Sequence, residues 1–302
     1  MSAETVHHVR IDLSNSLQPR SLPGDSPSAV SASKPRQLGQ RHCFPAISSA
    51  VLFASVALFG LTGCDVSHTP VNLADAKQIA ASCPSGREIA GRAAIDVSAH
   101  MRPIAADAGR LDPVRQLVRR TLICGGHLRI DAFSGSSAAT AAVFDADLHL
   151  PGATETARLR REPAMTDEVM ATITKQLPIA AEKLPLTGSD ILAQFGMAAE
   201  YVQQLDPDGS RFALYLVITT DGAQSEGTAL TDPTLTVERA LVLAERVRVP
   251  DLTGATVQMT SIGKTADPAP PTAYVDALKA FFTSVCKATG AYCTVVTDGA
   301  AR

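Results

Sequence analysis

The stretch Arg211-Phe-Ala-Leu-Tyr-Leu-Val-Ile-Thr-Thr-Asp-Gly222 decides how the rest of the chain is read. From Phe212 to Thr219 it is a continuous apolar run rich in aromatic and β-branched residues, with no polar alternation. Such a run suits a central strand buried on both faces, as in parallel sheets. It stops at Asp221-Gly222, a pair favoured in tight turns because Asp bonds its own backbone and Gly tolerates positive φ. A doubly buried strand needs neighbours on both sides and helices above and below, so the flanking sequence should supply them.

It does, in alternation. Arg87–Asp96 reads as a strand that ends on an acid. Asp112–Leu122 reads as an amphipathic helix with Pro113 in its first turn, where a missing N–H is tolerated. His127–Phe133 alternates with period two and is a strand, with a shorter extended piece at Ala141–Phe144 beside it. Thr166–Leu177 reads as a helix capped by Thr166 or Asp167 and stopped by Pro178. Ser189–Leu205 is a further helix, opened by Gly188-Ser189-Asp190. After the central strand come a helix at Thr234–Arg248, a strand at Thr256–Ile262, a helix at Thr272–Lys287 and a last strand at Tyr292–Val296. The expected fold is therefore α/β: a Rossmann-like three-layer sandwich whose mostly parallel central sheet carries helices on both faces. In such sheets ligands sit outside the carboxyl ends of the strands, near the switch point.

The strand ends carry chemistry-bearing residues. Asp96-Val97-Ser98-Ala99-His100 follows the first long strand, Thr187-Gly188-Ser189-Asp190 opens a helix, and Thr219-Thr220-Asp221-Gly222 follows the central strand. Taken singly, Asp96 ends a strand, Ser189 is a common N-cap type, Asp190 suits a helix N-terminus electrostatically, and Asp221-Gly222 is a turn. In this order and approximate spacing, across about residues 85–298, they resemble the von Willebrand factor A domain. That family's metal-ion-dependent adhesion site consists of Asp-x-Ser-x-Ser after the first strand, a Thr in a later loop and an Asp in a Thr-Asp-Gly turn.

The resemblance implies a hard divalent ion, Mg²⁺ or Mn²⁺, held by oxygen ligands. Asp96 and Ser98 would serve from the first loop, Ser189 in place of the Thr, and Asp221 through coordinated water. One position would be left for a carboxylate from a protein partner. His100 stands where the pattern has its second Ser, and an imidazole shifts preference toward Zn²⁺ or Mn²⁺. The resemblance implies that Asp96→Ala weakens partner binding and leaves folding intact. Two other readings stay open: a metal-free scaffold in an envelope or secretion assembly, and a metal-assisted hydrolase using His100 as ligand or base. No recognisable nucleophile supports the hydrolase, so no catalytic residue is assigned.

The N-terminal part says where the domain works. Residues 1–43 are rich in Ser, Pro, Gln and Arg and read as disordered. Lys34, Arg36 and Arg41 lead into the apolar run Ala46–Leu61, the order of a secretory signal. The run ends in Leu61-Thr62-Gly63-Cys64, which resembles the lipobox of bacterial lipoproteins. In that family the Cys receives a diacylglycerol and becomes the new N-terminus. The expected organisation is a disordered region and signal peptide over 1–63, a lipid-anchored tether over 64–84, the von Willebrand factor A-like domain over 85–298 and a tail over 299–302. The protein would lie outside the cytoplasmic membrane, anchored to it through Cys64. Removing residues 1–63 takes away 5 basic and 3 acidic side chains and leaves a net charge of −5. An acidic exported chain is a poor nucleic-acid binder. With Cys43 lost and Cys64 lipidated, Cys83, Cys124, Cys286 and Cys293 remain for two disulfides in an oxidising compartment. Three pairings exist. The short Cys286–Cys293 loop favours a local bridge, which leaves Cys83 with Cys124.

Three other signals carry less. Gly263-Lys264-Thr265 lacks the earlier Gly of a phosphate loop, since Gln258 stands there. Phe133-Ser-Gly-Ser-Ser137 is no nucleophile elbow. Asp206-Pro-Asp-Gly209 reads as a turn, with weak Ca²⁺ binding by its two acids as the alternative.

Overall fold

The computed structural model describes residues 69–136, 139–266 and 268–298. The expected signal segment, the lipobox-like run and Cys64 lie outside them. Six strands form one sheet: β1 Glu88–Asp96, β2 Gly126–Phe133, β3 Thr140–Leu148, β4 Phe212–Thr219, β5 Thr256–Thr260 and β6 Tyr292–Val295. Among the described residues seven α-helices accompany them: α1 Thr69–Ala81, α2 Ala108–Cys124, α3 Glu155–Leu159, α4 Glu162–Glu182, α5 Ala193–Leu205, α6 Val237–Ala244 and α7 Thr272–Ala288. The strand order is β3-β2-β1-β4-β5-β6, with β3 antiparallel to β2 and all other pairs parallel. The protein is a Rossmann-like α/β sandwich.

The order explains the layers. From β1 the chain steps one way to β2, and from β4 it steps the other way to β5 and β6. Right-handed crossovers therefore place their helices on opposite faces. One apolar cluster joins α1, α2 and α4 to Ala93, Ile95, Leu128, Ile130 and Val217. The other joins α5, α6 and α7 to Ala94, Leu216, Ile218, Val257 and Met259. Strands β1 and β4 feed both clusters, which is why β4 is apolar without alternation and almost wholly buried. At about 25 cal/mol per Å² of apolar surface removed from water, each of its buried Leu, Ile and Val side chains contributes roughly 1.5–3 kcal/mol.

The elements depart from the sequence reading at several points. Helix α2 starts at Ala108, so Pro113 lies in its second turn rather than its first. Pro178 does not stop α4, which continues to Glu182. An internal proline costs about 3 kcal/mol, and burial of Leu177, Ala180 and Ala181 on either side of Pro178 offsets it. Thr166 is no cap. It is buried inside α4 and donates its hydroxyl to Glu162 Oε1 at 2.8 Å. Strand β3 is nine residues long, and a register shift opposite Ile130/Asp131 buries both Val143 and Phe144, which hides its alternation. The helix expected from Ser189 begins only at Ala193, and α6 is shorter than expected, with Thr236 accepting from Arg239 N at 3.3 Å.

Helix α1, in the stretch expected as a tether, packs into the body. Ala76 is fully buried, and Arg119 of α2 bridges Asp75 at 2.8 Å and Glu162 at 2.8 Å. Disulfide Cys83–Cys124 ties the end of this segment to the end of α2 (Cα–Cα 5.5 Å), and Cys286–Cys293 ties α7 to the edge strand β6 (Cα–Cα 6.0 Å). No described helix is long and apolar enough to cross a membrane.

Candidate functional site

The strand order reverses between β1 and β4, and the carboxyl ends of these two strands carry Asp96 and Thr220-Asp221. Asp96 is fully buried, and its carboxylate is the hub of the loops around it. Oδ1 accepts from Ser98 N at 2.9 Å. Oδ2 accepts from the hydroxyl of Ser189 at 2.8 Å and from that of Thr220 at 2.7 Å. One carboxylate thus joins the β1 loop, the segment before α5 and the end of β4.

Each contributor is held from behind. Ser189 N donates to Ser225 Oγ at 2.7 Å, and Gly135 N donates to Gly188 O at 2.8 Å. Gln224 Oε1 accepts from Ile191 N and Leu192 N at 2.7 and 3.1 Å, satisfying donors at the entry to α5. Asp190 Oδ1 accepts from Ala193 N at 3.2 Å, so this acid caps the helix rather than the site. Gly222 has φ 86°, and Gly222 N donates to Thr220 Oγ1 at 3.1 Å. A side chain there would be strained and would meet Leu278 and Phe282 at 3.3 Å. The turn therefore needs its glycine.

Asp221 is buried as well. Its Oδ1 accepts from Ala223 N at 2.9 Å. Burial, and then the neighbouring charge of Asp96, push its carboxyl up to about 6, against the opposing pull of the Ala223 N–H, His100 and Arg110. Arg110, in the first turn of α2, is 5% exposed. Its Nη1 contacts Met101 Sδ at 3.2 Å, and its Nε and Nη2 have no hydrogen-bond partner among the described residues. Burial pulls the guanidinium below its usual value, while Asp96, Asp221 and Asp107 hold it up.

The expected ligands Asp96, Ser98, Ser189 and Asp221 are thus buried at or beside the switch point. His100 differs. It is exposed at the rim, acts on Asp221 through its charge, and engages Ala266 N at 3.1 Å through its backbone carbonyl. Among the described residues no three or more His, Cys, Asp and Glu side chains gather into a cage for an ion. The oxygen donors here are two carboxylates and three hydroxyls. Thr220, the third hydroxyl, lies in the Thr-Asp-Gly turn but is not among the residues the resemblance singles out as ligands. Arg110 gives no signal in the sequence, because the expected helix begins at Asp112 and only the observed start at Ala108 brings it into the first turn.

Chemically, Ser189 and Thr220 donate hydrogen bonds to Asp96 and keep oxygen lone pairs, one of which on Thr220 accepts from Gly222 N. This is a hard-oxygen set of the kind Mg²⁺ or Mn²⁺ accepts, and it does not call on the imidazole. Beside it, Leu186 is 53% exposed and its carbonyl accepts from Ala99 N at 2.8 Å, with Ala99 and His100 also exposed. Elsewhere, Asp206 spends its carboxylate on Arg211 N and Phe212 N, at 2.7 and 2.8 Å, which is turn chemistry rather than a Ca²⁺ loop. His127 is placed by Tyr201 at 2.9 Å and Asp145 at 3.2 Å.

The site and fold define a doubly wound α/β protein with a polar switch-point cluster. No protein-family model and no curated protein matches the chain. Among solved structures it is similar to proximal thread matrix protein 1 from the mussel byssus, at 13% identity and a TM-score of 0.33. That similarity covers 68% of this chain and 48% of the other, so the chain spans about half the length of that protein. At this score the likeness says nothing about what this chain does.

Proposed function

We propose that the chain is an extracytoplasmic, lipid-anchored binding module of the von Willebrand factor A type, and that it engages a protein or envelope partner through the strand-end cluster. The observation that carries the reading is the triple engagement of Asp96 by Ser98 N and the hydroxyls of Ser189 and Thr220, at the point where the strand order reverses. The residues the resemblance singles out come from three separate loops, and Asp96 binds two of the others. The exposed Leu186, Ala99 and His100 supply a rim for a partner surface. In the binding reading, Asp96 accepts the Ser189 hydroxyl hydrogen and so orients its oxygen as a ligand.

The donor set fits Mg²⁺ or Mn²⁺ better than Zn²⁺, since its oxygens are hard and His100 is peripheral. When bound, such an ion would supply an electrophilic position for a partner carboxylate. Asp96, Ser98, Ser189 and Asp221 would hold it. The test is calorimetric titration with Mg²⁺, Mn²⁺ and Zn²⁺ of the wild type and of Asp221→Asn, a near-isosteric change. Saturable binding of Mg²⁺ or Mn²⁺ that is lost in the variant is the expected result. No binding of any ion to the wild type would sink the metal-bridged form of the proposal. The metal-free scaffold would then be favoured, and the buried Arg110 is the observation on its side.

A further inference from the structure

We infer that the trough between α1, α2 and the open face of β4 and β5 is a binding site for a neutral oligosaccharide. It shares no residue with the strand-end cluster, so its occupation does not depend on the function proposed above.

The sandwich is incomplete on one side. Where α5, α6 and α7 cover the sheet, Val257 and Met259 of β5 are fully buried. On the opposite face α2 and α4 pack over the β3-β2-β1-β4 half, and no described helix continues the layer over β5 and β6. There Thr256 and Gln258 are half-buried, and Tyr292 and Thr294 are exposed. Parallel strands are ordinarily covered on both faces, so this polar, open half is a departure that needs a reason. Register sets Tyr215, Thr256 and Tyr292 in one row across β4, β5 and β6, with Val217, Gln258 and Thr294 in the next row on that face. The flank of α1 and α2 turns the β4–β5 part of it into a cavity of ≈ 590 Å³, a size that suits a small ligand. Cys83–Cys124 joins the two walls covalently, so the cavity is formed before anything enters it.

The lining selects the ligand. Gln78, Gln116 and Gln258 each present donors and an acceptor, and Ser82 and Thr256 add hydroxyls. Two charged side chains also line it, and both are engaged. Asp75 pairs with Arg119 at 2.8 Å, and Arg120 lies over the Tyr215 ring at 5.1 Å while donating to Ser82 Oγ at 3.2 Å. Their signs are opposite, so the cavity has no net charge with which to draw a phosphate or a carboxylate. A ligand that is uncharged yet dense in groups that both donate and accept matches this lining, and a sugar is such a ligand. The row also supplies rings. Tyr292 is 74% exposed and lies two strands from Tyr215. At about 4.8 Å per strand the two side chains stand about 10 Å apart. The C–H faces of sugar rings pack on the negative face of an aromatic ring, and two rings at this spacing fit a chain of sugars better than a single one. A protein partner fits less well, because this face lacks the apolar centre that a stable protein interface buries.

The experiment titrates the full chain, in detergent and EDTA, with chitohexaose, cellohexaose and maltohexaose, by surface plasmon resonance and saturation-transfer NMR. At least one of the three should bind saturably, with saturation reaching the ring C–H protons of the sugar. Tyr292→Ala should weaken that binding roughly tenfold, while Tyr292→Phe, which keeps the ring, should stay within about twofold of wild type. Gln258→Ala should weaken it by roughly tenfold as well, through lost hydrogen bonds. Tyr292 is exposed, so its variants should keep the wild-type urea midpoint, and a loss of binding then reports the surface and not the fold. Asp221→Asn should bind the sugar as wild type does. Binding of none of the three sugars overturns the inference, as does binding that neither Tyr292→Ala nor Gln258→Ala weakens. Sugar binding that is lost in Asp221→Asn overturns it too, because the ligand would then sit at the strand-end cluster. Sugar binding by a chain that takes up no divalent ion upholds the trough while the metal-bridged form of the proposed function falls.

Discussion

Asp96 satisfies three donors at once, and this changes what its removal should do. Asp96→Ala would leave Ser98 N and the hydroxyls of Ser189 and Thr220 without their acceptor in a buried setting. Unsatisfied buried donors cost roughly 1–3 kcal/mol each, partly relieved by water, so the variant should lose about 3–5 kcal/mol in urea denaturation. The sequence reading expected folding to be indifferent to this change. Retained wild-type stability would show that the cluster is not the joint described here. Asp221 allows a second argument at the same scale. Its carboxyl is raised from 3.8 to about 6, so the folded state holds a proton that the unfolded state gives up. Its contribution to stability is full below about pH 4 and is lost as pH rises through 6, a swing of about 3 kcal/mol at 1.36 kcal/mol per unit. In EDTA, the stability gap between wild type and Asp221→Asn should change in favour of the variant between pH 4 and 7.5. A gap that does not move with pH would exclude an acid proton at Asp221.

The elements explain why the sequence was readable where it was. β4 was legible because burial on two faces leaves it only one kind of residue, and its Asp-Gly stop marked the site. The extents of α2 and α4 were not, because Pro113 and Pro178 were weighed locally while packing decided the matter. β3 was shortened in the reading because its register shift breaks the period-two pattern. Asp96, Ser189 and Asp221 could be named from order and spacing. The bonds between them, and the burial of Arg110, are tertiary facts that no local pattern encodes. The disulfides act at this scale too. Cys83–Cys124 closes a separation of 41 residues and Cys286–Cys293 one of 7. Chain entropy then gives about 4 and about 2.5 kcal/mol respectively. Replacing both cysteines of the first pair by serine should cost more in urea denaturation than replacing both of the second. Loss of the second should mainly speed hydrogen exchange in β6, a four-residue edge strand with little burial. The reverse order of cost would mean that strain or residual structure outweighs loop length here.

For the whole molecule the question is how a site on one end of the sheet is presented to a partner. The segment leading out of the proposed anchor does not dangle. α1 is fixed to α2 and α4 through Arg119, and Cys83–Cys124 closes it covalently. The argument stands on Cys64 carrying lipid, and that can be measured in cells. Wild-type protein grown with radiolabelled palmitate should carry label and sediment with membranes. Cys64→Ala should lose the label and leave the membrane fraction. In both proteins Cys83, Cys124, Cys286 and Cys293 should resist alkylation until reduced, as expected of an oxidising compartment. Unlabelled wild type would remove the anchor from the proposal. Alkylation of the four cysteines without reductant would place the chain in a reducing compartment and remove its exported location as well.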